Sequence, residues 1–218
     1  MTSDRAVGAE ADDMPLRRTP RQARSREKLA RVLEAADRLL IAEGAEALTT
    51  TRVAAEAGVS VGALYQYLPD RDAIVDKLAD QYLARLEILM GSFVERAARE
   101  DWPDPVAVLV DAFAGLYRSE AGLRALWFGR HLTERTRAAD RVHKRAMAAA
   151  VHRIAVAQRL LPDDEAAATA CYTAFLAADA VLQEAFRVEA GGATDLLDQL
   201  KTMLRSYLEK VTRGPSRR

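Results

Sequence analysis

The sequence predicts an all-α fold of about nine helices, with a small three-helix head at the N-terminus and a larger helical body behind it. Three observations carry this expectation. Apolar residues recur at helical spacing from Arg24 almost to the end of the chain. Glycine and proline are sparse and cluster where those periodic runs stop. No stretch alternates as a strand would, and no internal repeat or low-complexity tract interrupts the pattern. Short runs come first and long runs after, which is the order of a head mounted on a body.

The elements follow in turn. The first helix starts near Arg24 and sets Leu29, Val32, Leu33, Ala36, Leu39 and Leu40 on one stripe; Gly44 stands where a left-handed cap would end it. Thr49, Thr50 and Thr51 offer N-caps for a short second helix through Ala57. Gly58 stops that helix, Ser60 can cap a third running to about Leu68, and Pro69 closes it. Asp70-Arg71-Asp72 opens a long fourth helix that carries Ile74, Val75, Leu78, Tyr82, Leu86, Leu89, Phe93 and Val94 towards Arg99. Past Trp102-Pro103-Asp104-Pro105, a fifth helix holds Val106, Leu109, Val110, Phe113 and Tyr117. A short sixth lies around 122–132, and Thr133 caps a seventh that reaches Leu160. Pro162-Asp163-Asp164 precedes an eighth helix over about 164–189, and Gly191-Gly192 separates it from a ninth over about 194–212. The organisation expected is a disordered leader with a basic arm (1–22), a head (23–70), a body (71–213) and a disordered tail (214–218).

Composition narrows the class. Half of the 218 residues are hydrophobic, enough for a substantial core, while few aromatics and much alanine favour closely packed helices. No 18 consecutive apolar residues occur, so no membrane span is expected, and the N-terminus lacks the apolar stretch of a secretory signal. The single cysteine, Cys171, can form no intrachain disulfide, which fits a cytoplasmic protein. The formal net charge is zero, but its distribution is uneven. Arg17, Arg18, Arg21, Arg24, Arg26, Lys28 and Arg31 face only Glu27 between Pro15 and Arg31, behind an acidic leader. Such an arm fits contact with a polyanion, although composition alone favours a solvated, disordered leader.

The stretch 49–68 gives the arm its meaning. Two short helices crossing steeply at a tight turn need a small residue where they touch; Ala54 is that residue and Gly58 permits the turn. Val53, Ala57, Val59, Leu64 and Leu68 can form the miniature core. With Leu64 and Leu68 inward, a helical projection leaves Gly62 and Gln66 outward, flanked by Val61, Ala63 and Tyr65. An outward face without charge, made of small residues and one amide, suits the major groove of DNA better than solvent.

In the run Thr49–Arg52, then Ala54, Ala57-Gly58-Val59-Ser60 and Gly62-Ala63-Leu64-Tyr65-Gln66-Tyr67-Leu68, with Arg71-Asp72 ahead of Ile74-Val75, the sequence resembles the tetracycline-repressor (TetR) family of bacterial regulators. The motif covers roughly residues 25–80; the body matches in length and helical order. Leu68 stands where the family usually has Phe, and Arg71 where Lys is common. The resemblance implies a homodimeric one-component regulator with a helix-turn-helix head on double-stranded operator DNA. It implies phosphate contacts from Thr50 or Thr51, Tyr67 and Arg71, close approach at Gly62, thymine-methyl contacts from Val61 and Ala63, and base-edge hydrogen bonds from Gln66 or Tyr65. Ser60 and Arg24 join this surface, the latter through the basic arm.

The body has two expected tasks. The ninth helix aligns Leu197, Leu200, Leu204 and Leu208, and the eighth mixes alanines with Phe175, Leu182 and Phe186. These stripes are expected to form a four-helix dimer interface, in preference to serving only the protomer's own core. Between head and interface, Phe93, Phe113, Tyr117, Trp127, Phe128, His131, Met147, Cys171, Phe175 and Asp179 are candidates to line a cavity for a small-molecule effector. Repression relieved by that effector is what the resemblance implies. No cofactor and no metal are expected. The alternatives are an all-α enzyme and a protein-binding helical adaptor. Against the first, His131, His143 and His152 have no metal-ligand spacing, and no phosphate-cradling glycine loop occurs. Against the second stand the basic arm and the uncharged outward face.

Overall fold

Polar N-caps set the helix starts. Thr49, Ser60, Asp70, Asp104, Thr133 and Asp164 each accept a backbone N–H three residues on, from Arg52, Ala63, Ala73, Ala107, Thr136 and Ala167. Each satisfies a donor that the first helical turn would leave unpaired. The computed structural model describes residues 20–129 and 132–212, with side chains from Arg24 onward. The expected leader through residue 19, the tail from 213 and the candidate His131 lie outside the described residues.

The helices are α1 (Pro20–Glu43), α2 (Thr50–Glu56), α3 (Val61–Tyr65), α4 (Arg71–Ala97), α5 (Pro105–Ser119), α6 (Ala121–Trp127), α7 (Glu134–Ala157), α8 (Glu165–Val188) and α9 (Thr194–Thr212), and no strand occurs among the described residues. A 3-10 turn over Ala45–Ala47 follows α1, which the periodicity does not predict. α1 begins at Pro20, ahead of the first apolar position. α3 is assigned only to Tyr65, yet the Leu68 N–H still donates to the Leu64 carbonyl at 2.9 Å. The turn stops there because a residue before proline is disfavoured in the helical region. α7 ends at Ala157, short of Leu160, because Arg159 takes a left-handed φ of 58° and the Leu160 N–H closes back on the Ala155 carbonyl.

One core runs the length of the head and into the body. Leu40, Leu48, Val53, Leu64, Leu68, Ile74 and Leu78 are almost wholly buried, and the same apolar cluster continues through Ala114, Leu126, Leu182, Phe186 and Leu200. α4 is the bridge, since its first turns carry Ile74 and Val75 into the head. Its far end packs Met90 and Phe93 with Trp102, Met147 and Ile154 in a second cluster. α7 lies along α4, α8 along α7 and α9 along α8.

Candidate nucleic-acid interface and interior cavity

In the head, α2 and α3 meet over Val53, Ala54 and Leu64, all at most 1% exposed. Gly58 turns the chain between them with φ 64°, and the Val59 N–H donates back to the Ala54 carbonyl at 3.0 Å. A side chain at that backbone angle would be strained. On α3 and just past it, Gly62, Tyr65 and Gln66 are exposed, while Val61 and Ala63 are partly covered. The Tyr65 ring is half exposed, and its hydroxyl is hydrogen-bonded to Thr50 Oγ1 across the two helices at 3.3 Å. The cap of α2 is Thr49; the exposed Thr51 hydroxyl pairs with it at 3.2 Å, and Thr50 opens the helix. Ser60 caps α3, so its hydroxyl oxygen is occupied by the Ala63 N–H at 3.2 Å.

Beside this face the basic arm continues on α1. Arg24, Arg26, Lys28 and Arg31 line a groove whose other wall is Gln66 and Tyr67, against Glu27 and Glu34. Ser25 Oγ donates to the Tyr67 hydroxyl at 3.1 Å, orienting it within the groove. Arg71 differs from expectation. Its guanidinium donates to the Ala45 carbonyl at 3.0 Å and lies 3.7 Å from Asp72, so it braces the turn after α1 instead of standing free. A guanidinium suits a carbonyl as well as a phosphate, which is why spacing alone pointed outward.

In the body, a largely apolar cavity of about 110 Å³ opens between α4, α5, α6, α7, α8 and α9. That is several times the ~10–15 Å³ that one water requires on the same measure. Phe113, Tyr117, Trp127, Met147, Cys171, Phe175 and Asp179 line it, as expected. Phe93 does not: it packs edge-on against Trp102 at 5.9 Å in the second core cluster. Phe128 also stands outside, stacked on Tyr117 at 6.2 Å. The Cys171 thiol is 1% exposed, and burial pushes its pKa up to about 11, so it is a protonated wall group.

Apart from Asp179, the polar end of the cavity escaped the sequence reading. Lys144 Nζ sits 3.0 Å from both Asp140 Oδ2 and Asp179 Oδ2. Trp127 Nε1 donates to Asp140 Oδ1 at 3.2 Å, and Gln183 donates to Asp179 Oδ2 at 2.9 Å. Burial pushes the Lys144 pKa down, but Asp179 and Asp140 together outweigh it and hold the ammonium above its ordinary value. His143, 6% exposed, adds Nδ1 at 3.1 Å from Glu87 Oε1. In the sequence, Asp140 and Lys144 look like an ordinary surface pair one helical turn apart; only the fold turns them inward.

Comparison with known proteins fits this geometry. The model described as bacterial regulatory proteins, tetR family, matches residues 32–78, and the tetracyclin repressor-like C-terminal domain matches residues 100–212, more than half of the chain. The chain belongs to the TetR family. It is a TetR-family transcription regulator, with a helix-turn-helix head for DNA and a C-terminal ligand-binding domain. A TetR-family regulator from Streptomyces coelicolor is 25% identical, with TM-score 0.63 over 85% of this chain and 97% of that one. A regulator from Mesorhizobium loti MAFF303099 shares the fold at 13% identity, TM-score 0.62, over 85% and 97% of the two chains. SmeT, solved in complex with triclosan, shares it at 16% identity, TM-score 0.55, over 86% and 91%. No curated protein matches.

The regulator corrects the expected dimer surface. Leu182, Phe186, Leu197, Leu200 and Leu204 are all at most 8% exposed and belong to the protomer's own core. Leu208 and Phe175 face the cavity, the latter edge-on to Phe113 at 6.3 Å. Core and interface stripes share one helical period, so the pattern could not separate them.

A contact missed in the sequence joins cavity to head. Tyr82 of α4 meets Trp127 edge-on at 6.5 Å and donates its hydroxyl to Asp37 of α1. Burial, and then the Asp37 carboxylate, push the Tyr82 pKa far above its ordinary value, so it stays a donor. Gly122 of α6 closes over this bond; a methyl there would overlap the Tyr82 hydroxyl and the Asp37 carboxylate.

Proposed function

We propose that this TetR-family regulator is a cytoplasmic homodimeric repressor. It holds a palindromic operator in double-stranded DNA and lets go when a small-molecule effector fills the cavity. One observation carries the reading: a basic-rimmed, uncharged recognition face and a cavity share a single core, joined at Trp127, Tyr82, Asp37 and Gly122. An effector that fits one position of α6 better than the other shifts the population, and α6 cannot move without disturbing the α1–α4 contact. SmeT, which shares this fold, is solved with the small molecule triclosan, and that supports a small-molecule effector here.

On this reading Gly62 lets α3 approach the bases, Val61 and Ala63 meet thymine methyls, and Gln66 and Tyr65 address base edges. Thr50, Thr51, Ser60, Tyr67 and Arg24 hold phosphates. Arg71 contributes mainly by fixing the turn that positions α2.

Pairing uses the outward faces of α8 and α9 in place of the buried leucines. By length and composition α8 is apolar enough to cross a membrane. Its inner side packs on α7 and α9, while Thr169, Thr173, Leu176 and Ala180 lie exposed and uncharged. Gln199, Thr202, Met203 and Ser206 extend that face on α9. Small and uncharged residues let a second copy's helices approach closely, giving a two-fold interface and two heads about one helical turn apart on DNA.

The test is a selection from random duplexes with the full chain. An enriched inverted repeat, with half-sites centred about 10 base pairs apart or a multiple of that, supports the reading. No enrichment, or enrichment of single half-sites by a monomer, overturns it.

A further inference from the structure

We infer that the effector is a lipophilic molecule carrying one positive charge, a protonated amine on an aromatic or aliphatic skeleton. Its charged end sits at Asp179 and Tyr117. The inference rests on the effector-responsive reading above and deepens it by naming the chemistry that the cavity selects.

The charge balance at the polar end is the first reason. Asp140 and Asp179 share one ammonium, that of Lys144, with side chains only 17%, 19% and 23% exposed. Among the described residues two carboxylates stand against one cation, which leaves an excess negative charge beside an apolar cavity. The remaining titratable contact, His143 with Glu87, does not cancel it: if His143 is protonated the pair is neutral, and if it is not the pair is negative. Charge held away from water is costly unless paired. A cationic ligand completes the pairing, whereas an anionic one would have to take Lys144 from two carboxylates already at 3.0 Å.

The second reason is independent of charge. Tyr117 is 6% exposed and lines the cavity, yet no described residue takes up its hydroxyl. Asp179 uses one oxygen for Lys144 and Gln183, and among the described residues Oδ1 has no partner. Both residues line the cavity, and no buried side-chain polar atom is left without a partner in the described structure. A carboxylate oxygen that only accepts and a hydroxyl with lone pairs to offer, both on the wall of one cavity, make a receptor for N–H donors. The walls match the rest of such a ligand: Phe113 and Phe175 meet edge-on at 6.3 Å, and Trp127 lines the cavity beside Asp140. Aromatic faces around a desolvated ammonium add cation–π attraction and accept the apolar skeleton equally well.

The inference is tested with three probes on one skeleton, 4-phenylbutylamine, 4-phenylbutanol and 4-phenylbutanoate. Binding to the full-length protein is followed at pH 7 by calorimetry, without DNA. The amine is expected to bind at least about tenfold tighter than either partner, the equivalent of one charge-assisted hydrogen bond. Asp179→Asn should bring amine and alcohol to within about threefold of each other, with the circular-dichroism spectrum unchanged. Lys144→Gln should widen the amine's advantage, because both carboxylates are then unopposed. Tightest binding of the carboxylate, equal binding of all three, or no binding of the amine would overturn the inference. Because DNA is absent, these outcomes are separate from those of the duplex selection. A cavity that prefers amines in a protein that selects no duplex would sink the regulator reading alone.

Discussion

The head and the body bury apolar surface in the same core, but they use what is left over in opposite ways. The head presents its proposed reading groups outward on a short stretch, Val61 to Tyr67, with its proposed phosphate holders close by on α1 and α2, and uses its buried residues to hold two helices at a fixed crossing. The body turns its functional groups inward, drawing a cavity wall from six helices. Along the middle of α8 the exposed residues are bland, Thr169, Thr173, Leu176 and Ala180, with charged Glu165, Glu184 and Arg187 only towards its ends. A surface that must read a rigid duplex benefits from a rigid local motif. A site that must change the molecule's shape benefits from being spread across elements that can shift.

That contrast can be broken most forcefully at Leu64. Leu64→Ala empties the centre of the head and should cost about 2–5 kcal/mol of stability. DNA recognition should vanish while the cavity still binds the amine probe. If both are lost together in one unfolding transition, head and body form one cooperative unit and the division of labour is wrong. The next effect is Leu176→Arg, which sets like charges against each other across the expected two-fold axis. A monomer by sedimentation and a DNA affinity lower by roughly a hundredfold, about 3 kcal/mol, are expected; an unchanged dimer would place the interface elsewhere.

Gly122→Ala probes the joint between the regions. Overpacking against Tyr82 and Asp37 should cost about 1–3 kcal/mol by denaturant titration, and the variant should respond to effector differently from the wild type in a DNA-release assay. An identical response would remove this contact from the coupling. Arg71→Ala should lower thermal stability by about 1 kcal/mol, through loss of the Ala45 brace. A drop in DNA affinity with no stability change would restore the direct phosphate contact. The smallest effect is a pH signature at Asp104, remote from the head. Its hydrogen bond with Arg205 lowers the carboxyl pKa against the opposing effect of burial. The α5–α9 tie is therefore present above the ordinary carboxylate pKa of about 4 and disappears as pH falls through the lowered folded value. The melting-temperature gap between wild type and Asp104→Asn should close on acidification from pH 7 to pH 3; a constant gap would contradict it.

The same contrast explains what the sequence revealed. Caps at Thr49, Ser60 and Asp70 act on residues three positions away, and the Gly58 turn is equally local, so the head was legible from spacing. Nearly every helix of the body was legible too, because apolar period and caps mark helices wherever they pack. What a helix packs against was not. Leu197, Leu200 and Leu204 look the same whether they meet α5 or a second copy. Asp140 and Lys144 become a cavity floor only because Asp179, on another helix, arrives beside them. The surface proposed for pairing carries no strong signal, since Thr169, Thr173 and Ala180 are unremarkable anywhere on a helix.

The central claim is that this regulator reads DNA sequence through α3 with phosphate support from the basic arm. It is tested most directly by titrating the full-length protein against its selected duplex and a scrambled duplex over a series of salt concentrations. The account predicts a preference of about a thousandfold or more for the selected duplex. It also predicts a steep linear fall of log affinity with log salt as counterions are released. Equal affinity for the two duplexes at every salt concentration would contradict it.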